Sequence, residues 1–330
     1  MRYTNLGWTG LKISAIALGC GNFGGMGSVP ALFGKVATRE EAFAIMDKAF
    51  GLGINYFDTA NSYGGGLSES FIGEWLKQKG ANVRDQVILS TKVYSPVGDG
   101  PNDQGLSRQH ILRQIDLSLH RLGVDHLDLY ITHAPDPNTP LEETLHALDD
   151  LIHQGKVCFI GAANMPVWLL TKALWISDRF HLHRFEWVQN SYNLLDRTDE
   201  SEMFPLCQDQ HLGHTPFSPL AGGWLTGKYR AGEPFPAGSR MDLRPDFRTL
   251  VSEKTYPALD ALHRYATERG VDMASLALAW VMSHPVVTAP LIGPRRPEHL
   301  DIVNSALEIK LDADERATIA GFFRNGNSQA

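Results

Sequence analysis

The chain has few of the features that mark secreted, membrane or redox proteins. Its three cysteines, Cys20, Cys158 and Cys207, are scattered through 330 residues, and no two stand at metal or redox spacing. No stretch approaches the ~18 apolar residues that a membrane span requires, and the first residues lack the apolar core of a signal peptide. We therefore expect a soluble, cytoplasmic protein with reduced thiols and no membrane partner.

Basic residues are also in the minority. The chain has 30 Lys and Arg against 37 Asp and Glu, a net charge of -7, and no basic run longer than two residues. Because phosphate backbones are bound by basic faces, this composition argues against nucleic acid as a partner.

Metal-ligand patterns are equally sparse. His181 and His183 would lie on one face of a strand, but no third ligand stands near them in the sequence, and His211 and His214 have no ligand spacing to that pair. We read these histidines as surface residues and predict no metal.

Alternating strand and helix patterns are what the chain does contain. Helices are predicted to begin near Thr38, Ser68, Ser107, Thr139, Pro166 and Thr198, to cover 255–284 in two segments, and to begin again near Pro297. Short apolar runs predict strands over 15–18, 54–58, 86–92, 127–132, 156–160, 186–190, 213–217 and 286–292. Eight strands, each followed by a helix, favour an α/β fold of the closed (β/α)8 TIM barrel type, with an open doubly wound sheet as runner-up.

The ends and loops complete this prediction. Two short segments around Gly7 and Gly10 suit a β-hairpin that caps one barrel end, and 322–330 resembles a frayed tail. No linker divides residues 1–330, which we take as a single domain. The Gly-, Pro- and Arg-rich stretch 221–254, after strand 7, is predicted as a long structureless loop, and loops of such length are usually functional.

One glycine motif would indicate a Rossmann dinucleotide-binding fold instead of a barrel. Residues 19–24 match the dinucleotide fingerprint GxGxxG and follow a strand. The fingerprint requires a helix to open at the third glycine, but Gly25, Gly27 and Pro30 follow. We therefore interpret this stretch as a flexible turn.

Polar residues stand where several predicted strands end. Asp58, with Tyr63 just beyond, Lys92, His133 and Asn164 occupy these positions. Because parallel strands display their carboxyl ends on one rim, these side chains should converge there. Singly, Asp58 could be a cap, Lys92 a solvated lysine and His133 a structural histidine, whereas together they indicate a proton-transfer site.

The chemistry of this set is that of proton donation. A phenol has a pKa of ~10, so Tyr63 needs a nearby cation to become a competent general acid. Lys92 can supply the charge, Asp58 can orient Lys92, and His133 can hydrogen bond a substrate oxygen. Proton donation to oxygen, without a nucleophile or metal, is what carbonyl reduction needs.

These residues resemble the aldo-keto reductase superfamily over nearly the whole chain. Residues 57–64 (FDTANSYG) are similar to its Asp-Thr-Ala-x-x-Tyr-Gly signature, 90–92 (STK) to its lysine strand and 129–136 (LYITHAPD) to its histidine strand. The resemblance implies a barrel, a tetrad of Asp58, Tyr63, Lys92 and His133, and a hydride from NADPH bound without a Rossmann domain.

The resemblance also implies cofactor contacts. Asn164 and Gln189 match the amides that hold the nicotinamide carboxamide, and Phe217 matches the aromatic that stacks on its ring. Ser218, Leu220 and Gly222 match the loop whose backbone meets the pyrophosphate, and Lys228 and Arg240 match basic residues that reach the phosphates. Gly293, Arg295, Arg296 and His299 lie in residues 292–300, which are similar to the family's adenosine-phosphate segment. Asn22 is expected at the pocket wall. An arginine pair at a helix N-terminus suits a 2′-phosphate.

The sequence departs from the family pattern at three places. Ala163 stands where many members have a serine, His299 replaces a more usual glutamine, and 302–304 (IVN) lacks the usual acidic-asparagine pair for adenine.

The implied activity is NADPH-dependent reduction of small or medium aldehydes and ketones. The superfamily also includes potassium-channel β subunits, so a nucleotide-sensing regulatory subunit is the alternative. A hydrolase on the same barrel is a third and weaker alternative, since no paired carboxylates stand at strand ends. The physiological substrate and the oligomeric state stay open.

Overall fold

Eight parallel strands form the centre of the molecule in the computed structural model, which describes residues 1–323 apart from the side chain of residue 250. The strands are β3 (Ala17–Gly19), β4 (Tyr56–Asp58), β5 (Ile88–Val93), β6 (Leu127–Thr132), β7 (Val157–Ala163), β8 (Phe185–Gln189), β9 (Gly213–His214) and β10 (Leu291–Ile292). Ladder pairing runs in the order β10-β3-β4-β5-β6-β7-β8-β9.

Backbone hydrogen bonds span the seam between the first and last strands of this order. The Leu291 N–H donates to the Pro216 carbonyl at 2.8 Å, and the Thr288 N–H donates to the His214 carbonyl at 2.8 Å. Because neither terminal strand is left as an open edge, the sheet closes on itself. The predicted (β/α)8 barrel is confirmed, and the open doubly wound sheet is wrong.

Helices surround the barrel. They are α1 (Arg39–Gly51), α2 (Leu67–Lys79), α3 (Ala81–Arg84), α4 (Arg108–Leu122), α5 (Leu141–His153), α6 (Val167–Phe180), α7 (Met203–Gln210), α8 (Arg240–Leu243), α9 (Tyr256–Glu268), α10 (Met273–Met282), α11 (Ile302–Glu308) and α12 (Ala313–Gly321). Among residues 1–323, no helix has both the length and the apolar character to cross a bilayer.

Local sequence signals explain several helix starts. The Thr38 hydroxyl accepts from the Glu41 N–H and the Glu41 carboxylate accepts from the Thr38 N–H, a capping box that begins α1. The Ser107 hydroxyl caps α4 in the same way, by accepting from the His110 N–H.

The predicted N-terminal hairpin is also present. Strands β1 (Tyr3–Asn5) and β2 (Lys12–Ser14) pair antiparallel. Leu6 and Ile13 from this hairpin pack with Trp187 and Leu129 of the barrel strands, all of them buried. The hairpin therefore covers one barrel end, as the sequence indicates.

Some predicted boundaries were wrong. Stretch 221–254 is not structureless: it contains 3-10 turns over Ala221–Thr226, Pro245–Leu250 and Glu253–Thr255, together with α8. The last strand was predicted over 286–292 but forms only at Leu291–Ile292, because residues 286–290 belong to the loop between α10 and β10. The Thr288 N–H of this loop donates to the His214 carbonyl of β9. Of the predicted tail, residues 324–330 lie outside the described part of the chain.

Two helical glycines offer a test of the packing. A methyl group on Gly73, within α2, would lie 2.8 Å from the Leu122 carbonyl oxygen, whereas Gly51, at the end of α1, faces nothing within 4 Å. Backbone cannot move aside as a flexible side chain can. We expect Gly73→Ala to lower the free energy of unfolding by about 1–3 kcal/mol.

The control, Gly51→Ala, should leave this energy unchanged or raise it by up to about 1 kcal/mol, because alanine favours helix. Urea denaturation monitored by circular dichroism measures both. Equal effects of the two substitutions would contradict the close packing of α2 on the end of α4.

Candidate active site

A cavity of about 700 Å³ opens at the carboxyl-terminal end of the barrel strands. Most of the residues singled out from the sequence line it: Asn22, Asp58, Tyr63, His133, Asn164, Gln189, Phe217, Ser218, Leu220, Gly222, Lys228, Arg240, Gly293, Arg295 and His299. The structure therefore brings together side chains that are up to 277 positions apart in the chain, from Asn22 to His299.

The floor of the cavity is a buried ion pair. Asp58, at the end of β4, accepts a short contact from the Lys92 ammonium of β5, and both side chains are almost fully buried. The Lys92 Nζ also donates to the Thr59 carbonyl at 2.8 Å. The second Asp58 oxygen accepts from Ser90 Oγ and from Gln189 Nε2, each at 3.1 Å. These hydrogen bonds offset the cost of removing two charges from water.

A tight turn carries Tyr63 over this pair. Residues Tyr63–Gly66 form a 3-10 turn in which Gly64 has a φ of 59°. A side chain at Gly64 would also meet the Phe23 carbonyl oxygen at 2.8 Å, so this position requires glycine. The turn leaves the Lys92 ammonium 5.2 Å from the centre of the Tyr63 ring.

Burial dominates the electrostatics of Tyr63. It raises the pKa of the phenol, and the positive charge of Lys92 offsets only part of that rise. The sequence argument expected the cation to prevail, and it was wrong on the net direction because it could not include desolvation. Burial also disfavours the charged form of Lys92, but Asp58 outweighs it and raises the pKa of the ammonium.

His133, just beyond β6, completes the group. Its Nε2 lies 3.3 Å from Tyr63 Oη, and its Nδ1 lies 3.5 Å from Ser95 Oγ. Burial and the nearby Lys92 charge lower the pKa of the imidazole to about 3. His133 is therefore neutral near neutrality and presents one N–H donor.

Amide side chains form the next wall. Asn164, with a φ of 53°, donates from Nδ2 to the His133 carbonyl at 2.8 Å. Its own N–H donates to the Gln189 carbonyl at 3.2 Å. Asn190 accepts from the Met165 N–H at 3.0 Å, so the two loops that carry these amides are tied together.

The loop after β9 forms a curved wall. Phe217 donates its N–H to the Asn190 carbonyl at 3.0 Å, and Ser218 and Ala221 have φ angles of 55° and 48°. Asn193 Nδ2 donates to the Ser218 carbonyl at 3.0 Å. Gly222 and Gly223 follow Ala221 with φ angles of 66° and 102°. A turn of this kind directs backbone N–H groups into a concave surface, an arrangement that suits phosphate.

Three cations gather at the far end of the cavity, on Lys228, Arg240 and Arg295. Burial and then repulsion from Arg295 lower the pKa of Arg240 to about 10. The pKa of Lys228 is lowered first by burial, with repulsion from Arg295 contributing. Asn22 Oδ1 accepts from Arg240 Nη2 at 3.3 Å, while Asn22 Nδ2 donates to the Gly293 carbonyl at 2.8 Å. Like charges held together by a protein make a strong site for an anion.

Residues 292–300, the segment that resembles the family's adenosine-phosphate segment, line the cavity only in part. Arg295 and His299 line it, and the Arg295 N–H donates to His299 Nδ1 at 3.2 Å. Arg296 is exposed and is absent from the lining, although the sequence pairs it with Arg295. Glu298 is exposed and also borders the cavity.

Sequence reasoning missed several contacts. Ser90 could have been found, because the period of two along a strand puts it on the same face as Lys92. Ser95 lies in a loop, and Ala274 and Ile302 are apolar residues of helices distant in the chain; no sequence signal marked them.

The residues present fit a nicotinamide dinucleotide. The cavity has amides at the tetrad end, a phosphate-type backbone curve along one wall and three cations at the other end. A ligand with an amide-bearing ring and phosphate groups matches this order.

Comparisons with known proteins agree with this architecture. The family model of the Aldo/keto reductase family matches residues 15–323. The uncharacterized oxidoreductase YrpG of Bacillus subtilis (strain 168) is 42% identical over 95% of this chain and 93% of its own.

Two further relatives differ in their described roles. An L-glyceraldehyde 3-phosphate reductase of Escherichia coli O157:H7 is 35% identical over 99% of this chain and 93% of its own. A probable voltage-gated potassium channel subunit beta of rice (Oryza sativa subsp. japonica) is 35% identical over 94% of this chain and 92% of its own. The barrel, the convergent side chains and the family match over residues 15–323 together show that this chain belongs to the aldo/keto reductase family.

Proposed function

We propose that the protein reduces aldehydes or ketones to alcohols with NADPH. The observation that carries the proposal is the buried group of Tyr63, Lys92, Asp58 and His133 at one end of a cavity whose other end holds three cations. The first feature suits proton transfer to an oxygen, and the second suits a dinucleotide with an extra phosphate.

The proposed cofactor contacts are those that the family resemblance implies, and most of these residues line the cavity. Asn164 and Gln189 would hold the carboxamide, and Phe217 would lie against the nicotinamide ring. The loop with Ser218, Leu220 and Gly222 would hold the pyrophosphate. Asn22, Lys228, Arg240, Gly293, Arg295 and His299 are the proposed contacts of the remaining phosphate and adenosine. Arg296, which the sequence also predicted as a contact, lies outside this lining. When bound, this cofactor supplies a hydride to the carbonyl carbon.

Tyr63 supplies the proton. Its raised pKa keeps the phenol protonated at neutral pH, so it is ready to donate. As the proton leaves toward the carbonyl oxygen, negative charge develops on the phenol oxygen. The Lys92 ammonium, held charged by Asp58, lies 5.2 Å from the ring centre and stabilises that charge.

His133 orients the substrate. A neutral imidazole has one N–H, and Nε2 is the nitrogen that faces Tyr63, at 3.3 Å. A carbonyl oxygen placed between the two groups would accept hydrogen bonds from both. The Asn164 side chain donates to the His133 carbonyl, and this hydrogen bond fixes the position of the Asn164 amide relative to His133.

A regulatory, nucleotide-sensing subunit is the second candidate. The similarity to a potassium channel subunit beta of rice supports it. Consumption of NADPH with 4-nitrobenzaldehyde, followed by absorbance, separates the two functions. Repeated turnovers support the reductase, and nucleotide binding without turnover over a panel of aldehydes and ketones would support the sensor instead.

We expect Tyr63→Phe to bind NADPH with unchanged affinity and to lose a factor of about 10²–10⁴ in kcat, because only the donated proton is removed. Stopped-flow and steady-state rates with 4-nitrobenzaldehyde measure the loss, and fluorescence titration measures NADPH binding. Tyr3→Phe, which removes an exposed hydroxyl bonded to the Gly53 carbonyl, is the matched control and should keep the wild-type rate. Tyr63→Phe turning over at the wild-type rate would refute the assignment.

The pH dependence follows from the same groups. Tyr63 donates only when protonated, so reduction is lost as pH rises through its pKa, which burial places above the usual ~10. His133 stays neutral above pH about 3. At saturating NADPH we therefore expect kcat/KM for the aldehyde to be flat over roughly pH 6 to 9. A titration step near neutrality that disappears in His133→Gln would contradict the neutral imidazole.

The two adjacent arginines make a matched pair for the cofactor. Arg295 lines the cavity and Arg296 is exposed. We expect Arg295→Ala to weaken NADPH binding on the order of 10-fold or more and NADH binding much less, because a charge-assisted contact to phosphate is lost. Arg296→Ala should have the smaller effect. Equal losses for both nucleotides in Arg295→Ala would show that this residue does not recognise the extra phosphate.

A further inference from the structure

Two histidines and an aspartate meet on the outside of the barrel, at the end opposite the cavity described above. Asp149 and His153 lie one turn apart at the end of α5, and His183 lies in the segment between α6 and β8. Each offers one ligand atom, and these atoms lie within 4.8 Å of one another. The sequence showed only His181 and His183 as a pair, and folding supplies the partners from a different helix.

Asp149 is the centre of this group. One of its carboxylate oxygens is 2.7 Å from His183 Nδ1 and the other is 3.2 Å from His153 Nδ1. The His183 N–H donates to the first oxygen at 2.8 Å, which fixes the carboxylate in place.

The imidazoles have the freedom and access that a ligand requires. The side chains of His153 and His183 are 67% and 49% exposed, whereas that of Asp149 is only 11% exposed. His183 also borders a surface cavity of about 770 Å³ between α6 and α7. The carboxylate therefore lies between two exposed imidazoles, so that one oxygen and two nitrogen donors are within reach of a single ion.

We propose that Asp149, His153 and His183 bind a divalent transition-metal ion of the Zn²⁺ type, with water in the fourth position. Two imidazole nitrogens and one carboxylate oxygen are a donor set that suits Zn²⁺, Ni²⁺ and Cu²⁺, and it disfavours Mg²⁺ and Ca²⁺, which need oxygen ligands. This proposal is independent of the reductase activity.

Position in the fold indicates a structural role. The N-terminal face of such a barrel serves stability, while its carboxyl face serves catalysis. The three ligands join the last residue of α5 to the segment that leads into β8. A bound ion would clamp these two units together and would raise the thermal midpoint of unfolding, because it binds the native state only.

Calorimetric titration of chelator-treated protein with ZnCl₂ tests the site, in buffer free of phosphate. We expect one ion per chain, a rise in thermal midpoint on zinc addition, and no binding of MgCl₂. His153→Gln and His183→Gln should each weaken zinc binding on the order of 10–100-fold. Since both side chains are largely exposed, both variants should keep the metal-free thermal midpoint.

His181→Gln is the matched control, because His181 is an exposed histidine of the same segment outside the group. It should bind zinc as the wild type does. Cys158→Ser serves the same purpose for the exposed thiol. Absence of zinc binding to the wild-type protein would overturn the proposal, as would binding that survives unchanged in His153→Gln or His183→Gln.

Discussion

The buried ion pair of Lys92 and Asp58 is the interaction on which the rest of the site depends. A lone ammonium at this depth would lose its proton. Asp58 raises the pKa of Lys92 and so keeps the ammonium charged, while Thr59, Ser90 and Gln189 make further hydrogen bonds to the pair. The pair therefore provides a permanent positive charge beneath the Tyr63 ring, in a region from which water is excluded.

The closed barrel is what makes such a pair possible. Asp58 and Lys92 come from adjacent strands, β4 and β5, whose registered pairing sets Asp58 beside Ser90. Gln189 reaches the same carboxylate from β8, across the barrel. The 3-10 turn then places Tyr63 above the pair, and His133 and Asn164 close the wall on the far side. Strand ends separated widely in the chain thus act as one chemical unit.

Sequence reasoning found the elements whose signals are local and strong. Strand-end residues such as Asp58, Lys92 and His133 could be assigned because apolar runs mark strands and parallel strands share a rim. It failed where tertiary context decides: the short helices within 221–254 have weak periodicity, and β10 is shorter than its apolar run. Whether the pKa of Tyr63 is raised or lowered depends on its burial, and the contact between His183 and Asp149 depends on how α5 packs. Neither can be predicted from a local sequence pattern.

The most direct test of the central claim is an NMR titration of ¹³C-labelled tyrosine, with the Tyr63 signal assigned by its absence in Tyr63→Phe. Lys92 lowers the pKa of this phenol and Asp58 raises it. In Lys92→Met the lowering influence is removed, so the account predicts that Tyr63 stays protonated to a higher pH than in the wild-type protein. An unchanged or lower pKa in folded Lys92→Met would contradict it.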